Sequence, residues 1–182
     1  ISIPVVYFSS RHELEEGVFL KENTIYTRFH GHETIVGAVN EFHLVGQCNY
    51  ENIMTAIAIA HCMNVPEEIV AKTIRAFKAV EHRIEFVAEK NGVRYYNDSK
   101  GTNPDAAIQA IKAMTTPTVL IGGGYDKGSD YTEWIQTFGN KIKKLLLMGA
   151  TAHKIADCAE KNGFYDYQFV DNMEEAVRIA SE

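Results

Sequence analysis

The chain has 182 residues, enough for one generous domain or two small ones, and 46% hydrophobic with 23% charged residues is the composition of a soluble globular protein. A net charge of −6 argues against a general nucleic-acid binder, which carries a basic face, yet leaves room for a local basic site for an anionic ligand. No apolar run nears the roughly 18 residues that a membrane helix needs, and the start does not read as a signal peptide. Three widely spaced cysteines, Cys48, Cys62 and Cys158, form no C-x-x-C pair and read as reduced thiols. The expectation is a cytoplasmic protein, away from membrane and nucleic acid. Both ends look cut: the chain begins at Ile1, and Glu182 falls inside an apparent helix built on Met173, Ala176, Val177 and Ala180.

The apolar residues 4–8 predict a buried strand ending at Ser9-Ser10. Residues 17–20, 24–29 and 34–38 predict a meander of short strands, with turns at Glu22-Asn23 and Gly31-His32. From Asn49 the period becomes helical, through Ile53, Ala56, Ile57, Ala60 and His61. Val65-Pro66 ends that helix, and Pro66 suits the first turn of a second one carried by Ile69, Ile74 and Phe77. This first segment looks like the tail of a larger domain.

Near Val80 the pattern changes, and the boundary is placed there, giving segments 1–80 and 81–182. Residues 85–89 and 93–97 flank Asn91-Gly92, a two-residue hairpin signal. Asn103-Pro104-Asp105 reads as a helix start, with a cap, a proline at the first position and an acid at the positive helix end. Ala107, Ile108, Ile111 and Met114 form that helix's apolar face. Strands at 118–121, 144–148 and 167–170 then alternate with helices at 131–138, 153–161 and 173–180. This alternation predicts an α/β fold with a parallel, doubly wound sheet; Trp134 reads as core.

Ligands of open α/β sheets bind at the carboxyl ends of the strands. Two loops there carry chemistry. Residues 97–103, Asn-Asp-Ser-Lys-Gly-Thr-Asn, offer the Asp98 carboxylate, the Lys100 ammonium, the Thr102 hydroxyl and a helix start, a set that can hold an anion. The alternative is a capped turn whose polar groups only satisfy the backbone. Residues 122–128, Gly-Gly-Gly-Tyr-Asp-Lys-Gly, let the backbone approach a ligand beneath Lys127, or form a flexible turn with a solvated lysine. This is no P-loop, since G-x-x-x-x-G-K-[ST] is absent. The simplest topology puts the two loops on adjacent strands, where their lysines could converge on one carboxylate. His30 and His32 share a strand face but have no third ligand partner, so no metal site is assigned. Asn49 and Asn52, at i and i+3, could read a base edge or cap a helix. Arg83, beside His82, could close over a ligand or pair with Glu81 or Glu85.

Taken together, Glu81-His82-Arg83-Ile84-Glu85, Asn91-Gly92-Val93 and the string from Asn97 to Ala106 resemble the Mur ligases, and the segments 46–52 and 122–128 fit them too. The 97–103 string points to the branch that adds D-glutamate. The resemblance implies a three-domain enzyme: a UDP-sugar domain, a central P-loop ATP domain and a Rossmann-like third domain. This chain would hold the end of the central domain (1–80) and most of the third (81–182), and would be inactive alone. The P-loop, the magnesium-binding glutamate and histidine, the modified lysine and a carboxy-terminal serine–phenylalanine segment of the family are not in it. The implied activity is ATP-dependent ligation of D-glutamate to UDP-N-acetylmuramoyl-L-alanine through an acyl phosphate in peptidoglycan synthesis, with ATP and Mg2+ as cofactors and a monomer as the working form. Carried over by motif, Asn49 and Asn52 would contact adenine, and Arg83 and Asp98 the nucleotide with His82 beside them. Lys100, Thr102 and Lys127 would hold the D-glutamate carboxylates, and no catalytic residue is assigned. Cys48 stands where the family often has histidine. The rivals are a folylpolyglutamate synthetase-like ligase, a non-catalytic Rossmann-like nucleotide-binding module, and a structural domain whose Lys100 and Lys127 lie far apart in solvent.

Overall fold

A computed structural model of the chain describes residues 5–78 and 80–182. The chain divides into two compact units, the first ending at Phe86 and the second running from Val87 to Glu182. Among the described residues no helix is long and apolar enough to cross a membrane.

The first unit is a four-stranded sheet in the order β1 (Phe8–Ser9), β2 (Gly17–Lys21), β3 (Thr24–Phe29), β4 (His32–Ala38). The last three strands are the expected antiparallel meander. Glu22 and Asn23 both have positive φ, which matches the right-handed twist of a two-residue hairpin. The next turn lies one residue earlier than expected. His30 (φ 53°) and Gly31 (φ 78°) form it, and His32 already pairs with Phe29. The buried strand expected over residues 4–8 is not found: β1 is two residues long, and Val5, Tyr7 and Phe8 are exposed, while Pro4 lies outside the described residues. Apolar residues could not decide this, because only a short parallel bridge to Val18 and Phe19 is available to them.

Two helices, α1 (Gln47–Cys62) and α2 (Glu67–Ala76), follow. Ile53, Met54, Ile57 and Ala58 bury one face of α1 against Val18, Ile25, Phe29 and Val36 of the sheet. Residues i, i+1, i+4 and i+5 share a helix stripe, so this is the ordinary amphipathic solution. In α2 the packed face is Val70, Ala71 and Ile74. Ile69 and Phe77, expected on it, are exposed, because Ile69 lies a full 100° round the helix from Val70.

Next come β5 (Glu85–Lys90) and β6 (Val93–Asn97), which pair with each other in a separate two-stranded sheet. Asn91 (φ 54°) and Gly92 (φ 77°) make the tight turn that the sequence announces.

The second unit is centred on a parallel sheet of β7 (Thr118–Gly123), β8 (Ile142–Met148) and β9 (Tyr167–Phe169), in that spatial order. Its helices are α3 (Pro104–Ala113), α4 (Thr132–Gln136), α5 (Ala152–Lys161) and α6 (Met173–Ala180). Leu145, Leu146 and Leu147 of the middle strand are all 0% exposed. Neighbouring residues of a strand face opposite sides, so such a run requires cover on both faces. Leu145 and Leu147 pack with Ile108, Ile111, Trp134 and Ile155 from α3, α4 and α5. Leu146 packs on the other side with Val170 and with Ala176 of α6. The fold is therefore α/β with a parallel sheet covered on both faces. α4 is shorter than the sequence suggests. Phe138 donates to Ile135 in a tighter turn, and Gly139 (φ 48°) ends the segment.

α3 matters most for the site. Asn103 Oδ1 accepts the Ala106 N–H at 2.8 Å, with Pro104 at the first helical position. At its other end, Lys141 Nζ donates to the carbonyls of Ile111 (3.3 Å) and Lys112 (3.0 Å). A cation on the last carbonyls complements the helix dipole. Lys141 directly precedes β8, so the carboxyl end of α3 sits at the amino edge of the sheet. The helix amino end is thereby sent towards the carboxyl edge. Asn103→Ala is expected to lower stability by about 1 kcal/mol through loss of the cap, and urea unfolding of the variant checks this.

Candidate functional site

The loop between β6 and α3 is ordered by its own polar groups. Asn97 Oδ1 accepts the Ser99 N–H (3.0 Å), the Asp98 carbonyl accepts the Gly101 N–H (2.7 Å), and Thr102 N–H donates to the Lys100 carbonyl (2.8 Å). Gly101 packs closely on Asp98: a Cβ on it would stand 2.4 Å from Asp98 Oδ2 and 3.0 Å from the Asp98 carbonyl oxygen, so the carboxylate would have to shift. Asp98 is half-buried, whereas Lys100 and Thr102 are exposed. The capped-turn reading of residues 97–103 thus describes the backbone, while the Lys100 ammonium and the Thr102 hydroxyl face solvent at a helix amino end, where an anion is favoured.

The second loop follows β7. Gly123 (φ 124°) and Gly124 (φ 121°) occupy the left-hand region, and an added Cβ on Gly123 would lie 1.9 Å from the Met148 carbonyl oxygen. This close approach lets Gly124 N–H donate to Met148 O (3.1 Å) and Gly124 O accept from Thr151 N–H (3.1 Å) and Oγ1 (3.3 Å). Further on, Asp126 Oδ1 accepts the Gly128 N–H (2.8 Å), and its carboxylate pairs with Lys154 Nζ (3.1 Å). Between these ties Lys127 reaches out, its Nζ 3.4 Å from the Thr102 carbonyl oxygen.

The two loops therefore meet, though not by the expected route. β6 pairs with β5 and not with β7. The meeting depends on α3, which delivers Thr102 to the glycine loop. The bond from Lys127 is long and exposed, hence weak, and a carboxylate arriving there would offer the ammonium a stronger, charge-assisted partner. Lys127 Nζ thus lies beside the backbone of Thr102, two positions along the chain from Lys100, and both lysines are exposed.

The other expected site residues lie in the first unit. Asn49 is buried, and its Nδ2 donates to the Val45 carbonyl at 2.8 Å, so its amide group holds the turn before α1. Asn52, three residues on, is exposed. His82 (φ 66°) gives its N–H to Glu85 Oε2 (2.7 Å), with Nδ1 3.7 Å from the same oxygen. Arg83 is exposed and, among the described residues, makes no ion pair with Glu81 or Glu85. His30 sits in a turn, and the described residues contain no group of three or more His, Cys, Asp or Glu able to hold a metal ion. None of the three cysteines is in a disulfide.

Sequence reasoning passed over Thr151 and Lys154, which hold the glycine loop from the β8–α5 turn and from α5. Their signal was present in Gly149-x-Thr151 after an apolar strand, the counterpart of the glycines after β7. It also missed an open cleft of about 630 Å³ beside the loop, rimmed by Gly128, Tyr131, Lys154 and Cys158. Asp126 is held below the ordinary 3.8, first by the Gly128 N–H and then by Lys154, and Asp130 likewise by the hydroxyl and N–H of Thr132. A carboxyl lowered on folding contributes stability above its unfolded value and loses it as pH falls through its folded one. Carboxyl carbon shifts followed by NMR should give both groups midpoints below 3.8, with the Gly128 amide moving alongside Asp126. A midpoint at or above that value would contradict the clamp.

A parallel sheet covered on both faces, with two cation-bearing loops meeting at a helix amino end, defines an α/β domain suited to an anionic ligand. Residues 82–182 match the family model described as Mur ligase, glutamate ligase domain. The chain belongs to the Mur ligase family. It is 50% identical over its whole length to UDP-N-acetylmuramoylalanine--D-glutamate ligase of Lachnoclostridium phytofermentans, and 46% identical over 98% of its length to the protein so named in Lachnospira eligens. The chain spans about 40% of the length of each of these relatives. Among solved structures it is similar to the UDP-N-acetylmuramate-alanine ligase MurC of Thermotoga maritima, with TM-score 0.66 and 12% identity over 96% of this chain and 41% of that one. The folylpolyglutamate synthase of the same organism gives TM-score 0.64 and 18% identity over 89% of this chain and 39% of that one. At such identities the likeness shows a shared fold.

Proposed function

We propose that this chain is part of a longer ATP-dependent ligase that joins D-glutamate to UDP-N-acetylmuramoyl-L-alanine in the cytoplasm, a step of peptidoglycan precursor synthesis. The observation that carries this reading is the 50% identity, along the entire chain, to a relative named for that pair of substrates. In this reading residues 1–80 close the central ATP-binding domain and residues 81–182 belong to the third, Rossmann-like domain. ATP supplies the phosphoryl group that activates the muramoyl-alanine carboxylate. Asn49 Oδ1 and Asn52 meet the adenine edge, and Arg83 and Asp98, with His82 beside them, meet the rest of the nucleotide. The described residues contain no group of three or more His, Cys, Asp or Glu able to hold a metal ion, and in this reading the Mg2+ ligands lie mainly in the rest of the longer enzyme.

Lys100, Thr102 and Lys127 take the carboxylates of D-glutamate. Two lysines on separate loops act as two point charges, which suits a dianionic amino acid better than one bidentate clamp. Holding it there places its amine for attack on the activated carbonyl, and such positioning supplies a large share of the rate of an amide-forming step. The weak tether of Lys127 to the Thr102 carbonyl keeps the ammonium aimed at the site before the substrate arrives.

The test is phosphate release by the longer enzyme from ATP and UDP-N-acetylmuramoyl-L-alanine, offered D-glutamate, L-glutamate or L-lysine. Release with D-glutamate alone is the expected result, and this 182-residue chain by itself should release none. Turnover of a folate with L-glutamate, or ligand binding without any turnover, would replace this reading with one of its rivals.

A further inference from the structure

We infer that Lys154, on α5, is a positioning residue for amino-acid binding: through Asp126 it holds the 122–128 loop so that Lys127 reaches the amino end of α3. The inference rests on the function proposed above and extends it to a residue outside both ligand loops. Gly123, Gly124 and Gly128 all have positive φ, and neither Gly124 nor Gly128 has any atom within 4 Å of an added Cβ. Such a segment has high conformational entropy unless it is tied down. The ties at its start are backbone bonds, Gly124 N–H to Met148 O and Thr151 N–H to Gly124 O. Beyond Gly124 the ties are the Asp126 side chain with Gly128 N–H (2.8 Å) and with Lys154 Nζ (3.1 and 3.3 Å to its two oxygens). Lys127 lies between these anchored points and 3.4 Å from the Thr102 carbonyl oxygen. Lys154 Nζ is itself steadied 5.6 Å from the Tyr131 ring centroid. An exposed ion pair contributes little to global stability. Its leverage here is local, because it selects one conformation of a glycine loop, and a charge displaced by about an ångström can lose much of its effect on a reacting substrate.

The test has two arms. In this chain, amide hydrogen exchange at Lys127 and Gly128 is compared among the unmodified protein, Lys154→Met and Lys154→Arg. Methionine keeps the stem and removes the charge. Exchange should quicken about 3–10-fold in Lys154→Met and return most of the way in Lys154→Arg, with the melting temperature little changed. In the longer enzyme, Lys154→Met should raise KM for the amino-acid substrate about 3–10-fold, leave KM for ATP unaltered, and show no further loss when combined with Asp126→Asn, because the two act through one contact. Unchanged exchange, or equal rises in KM for every substrate, would overturn the inference. Should the unmodified longer enzyme fail to use D-glutamate, the function reading falls while the exchange arm still decides whether Lys154 orders the loop.

Discussion

Gly123→Ala is expected to cost about 2–6 kcal/mol of stability, from left-handed backbone strain of about 1–3 kcal/mol and overpacking of about 1–3 kcal/mol. The methyl would stand 1.9 Å from the Met148 carbonyl oxygen and 3.0 and 3.1 Å from that residue's carbonyl carbon and nitrogen. These are backbone atoms of the middle strand, paired in register with Gly123, so neither side can give way without breaking the parallel ladder. Gly124→Ala is the internal control. Its φ of 121° is nearly the same, yet nothing lies within 4 Å of the added carbon. Only the strain remains, about 1–3 kcal/mol. Urea unfolding of the two variants should therefore separate them by about 2 kcal/mol, the overpacking contribution. Equal losses would show that the end of β7 does not press on Met148 as described.

Lys127→Ala is expected to lower kcat/KM of the longer enzyme for D-glutamate about 100-fold, equivalent to about 2.7 kcal/mol. The loss should fall mainly on KM for the amino acid, since the ammonium binds a group that does not react. Lys127→Arg should recover only part of it, because a planar fork cannot stand in for a compact charge in the same space. Lys100→Ala should act in the same direction. The measurement is initial rates against D-glutamate at saturating ATP and muramoyl substrate. A Lys127→Ala enzyme with unaltered KM would remove Lys127 from the acceptor site and leave its contact with Thr102 as a structural tie.

Much of the candidate site could be read from residues adjacent in the chain. The 97–103 string and the glycine-rich 122–128 segment stand out because their chemistry is local: a carboxylate, an ammonium and a hydroxyl before a capped helix, and three glycines before a lysine. What could not be read was how the two segments find each other. Adjacent strands were the simple expectation, and the structure uses the direction of α3 instead, set by Lys141 on its last carbonyls. Asn49 shows the same limit. Its place on α1 was legible, whereas the use of its Nδ2 on Val45 depends on how the preceding turn packs.

By itself the sequence determined the elements whose causes lie within a few residues: the turns at Glu22-Asn23 and Asn91-Gly92, the Asn103-Pro104 start of α3, and the alternation of strands and helices after residue 117. Backbone sterics, caps and side-chain period act over one to four positions, so they survive in a one-dimensional record. That alternation of strands and helices also predicted a doubly wound sheet, and the structure bears it out in Leu145, Leu146 and Leu147, which are all buried. Only the tertiary structure decided that residues 5–8 would not form a buried strand, that Ile69 would face solvent, that Thr151 and Lys154 would brace the glycine loop, and that Lys127 would reach Thr102. Each of these depends on which distant surface is free to pair or pack, a property of strand register and helix direction that no local pattern encodes.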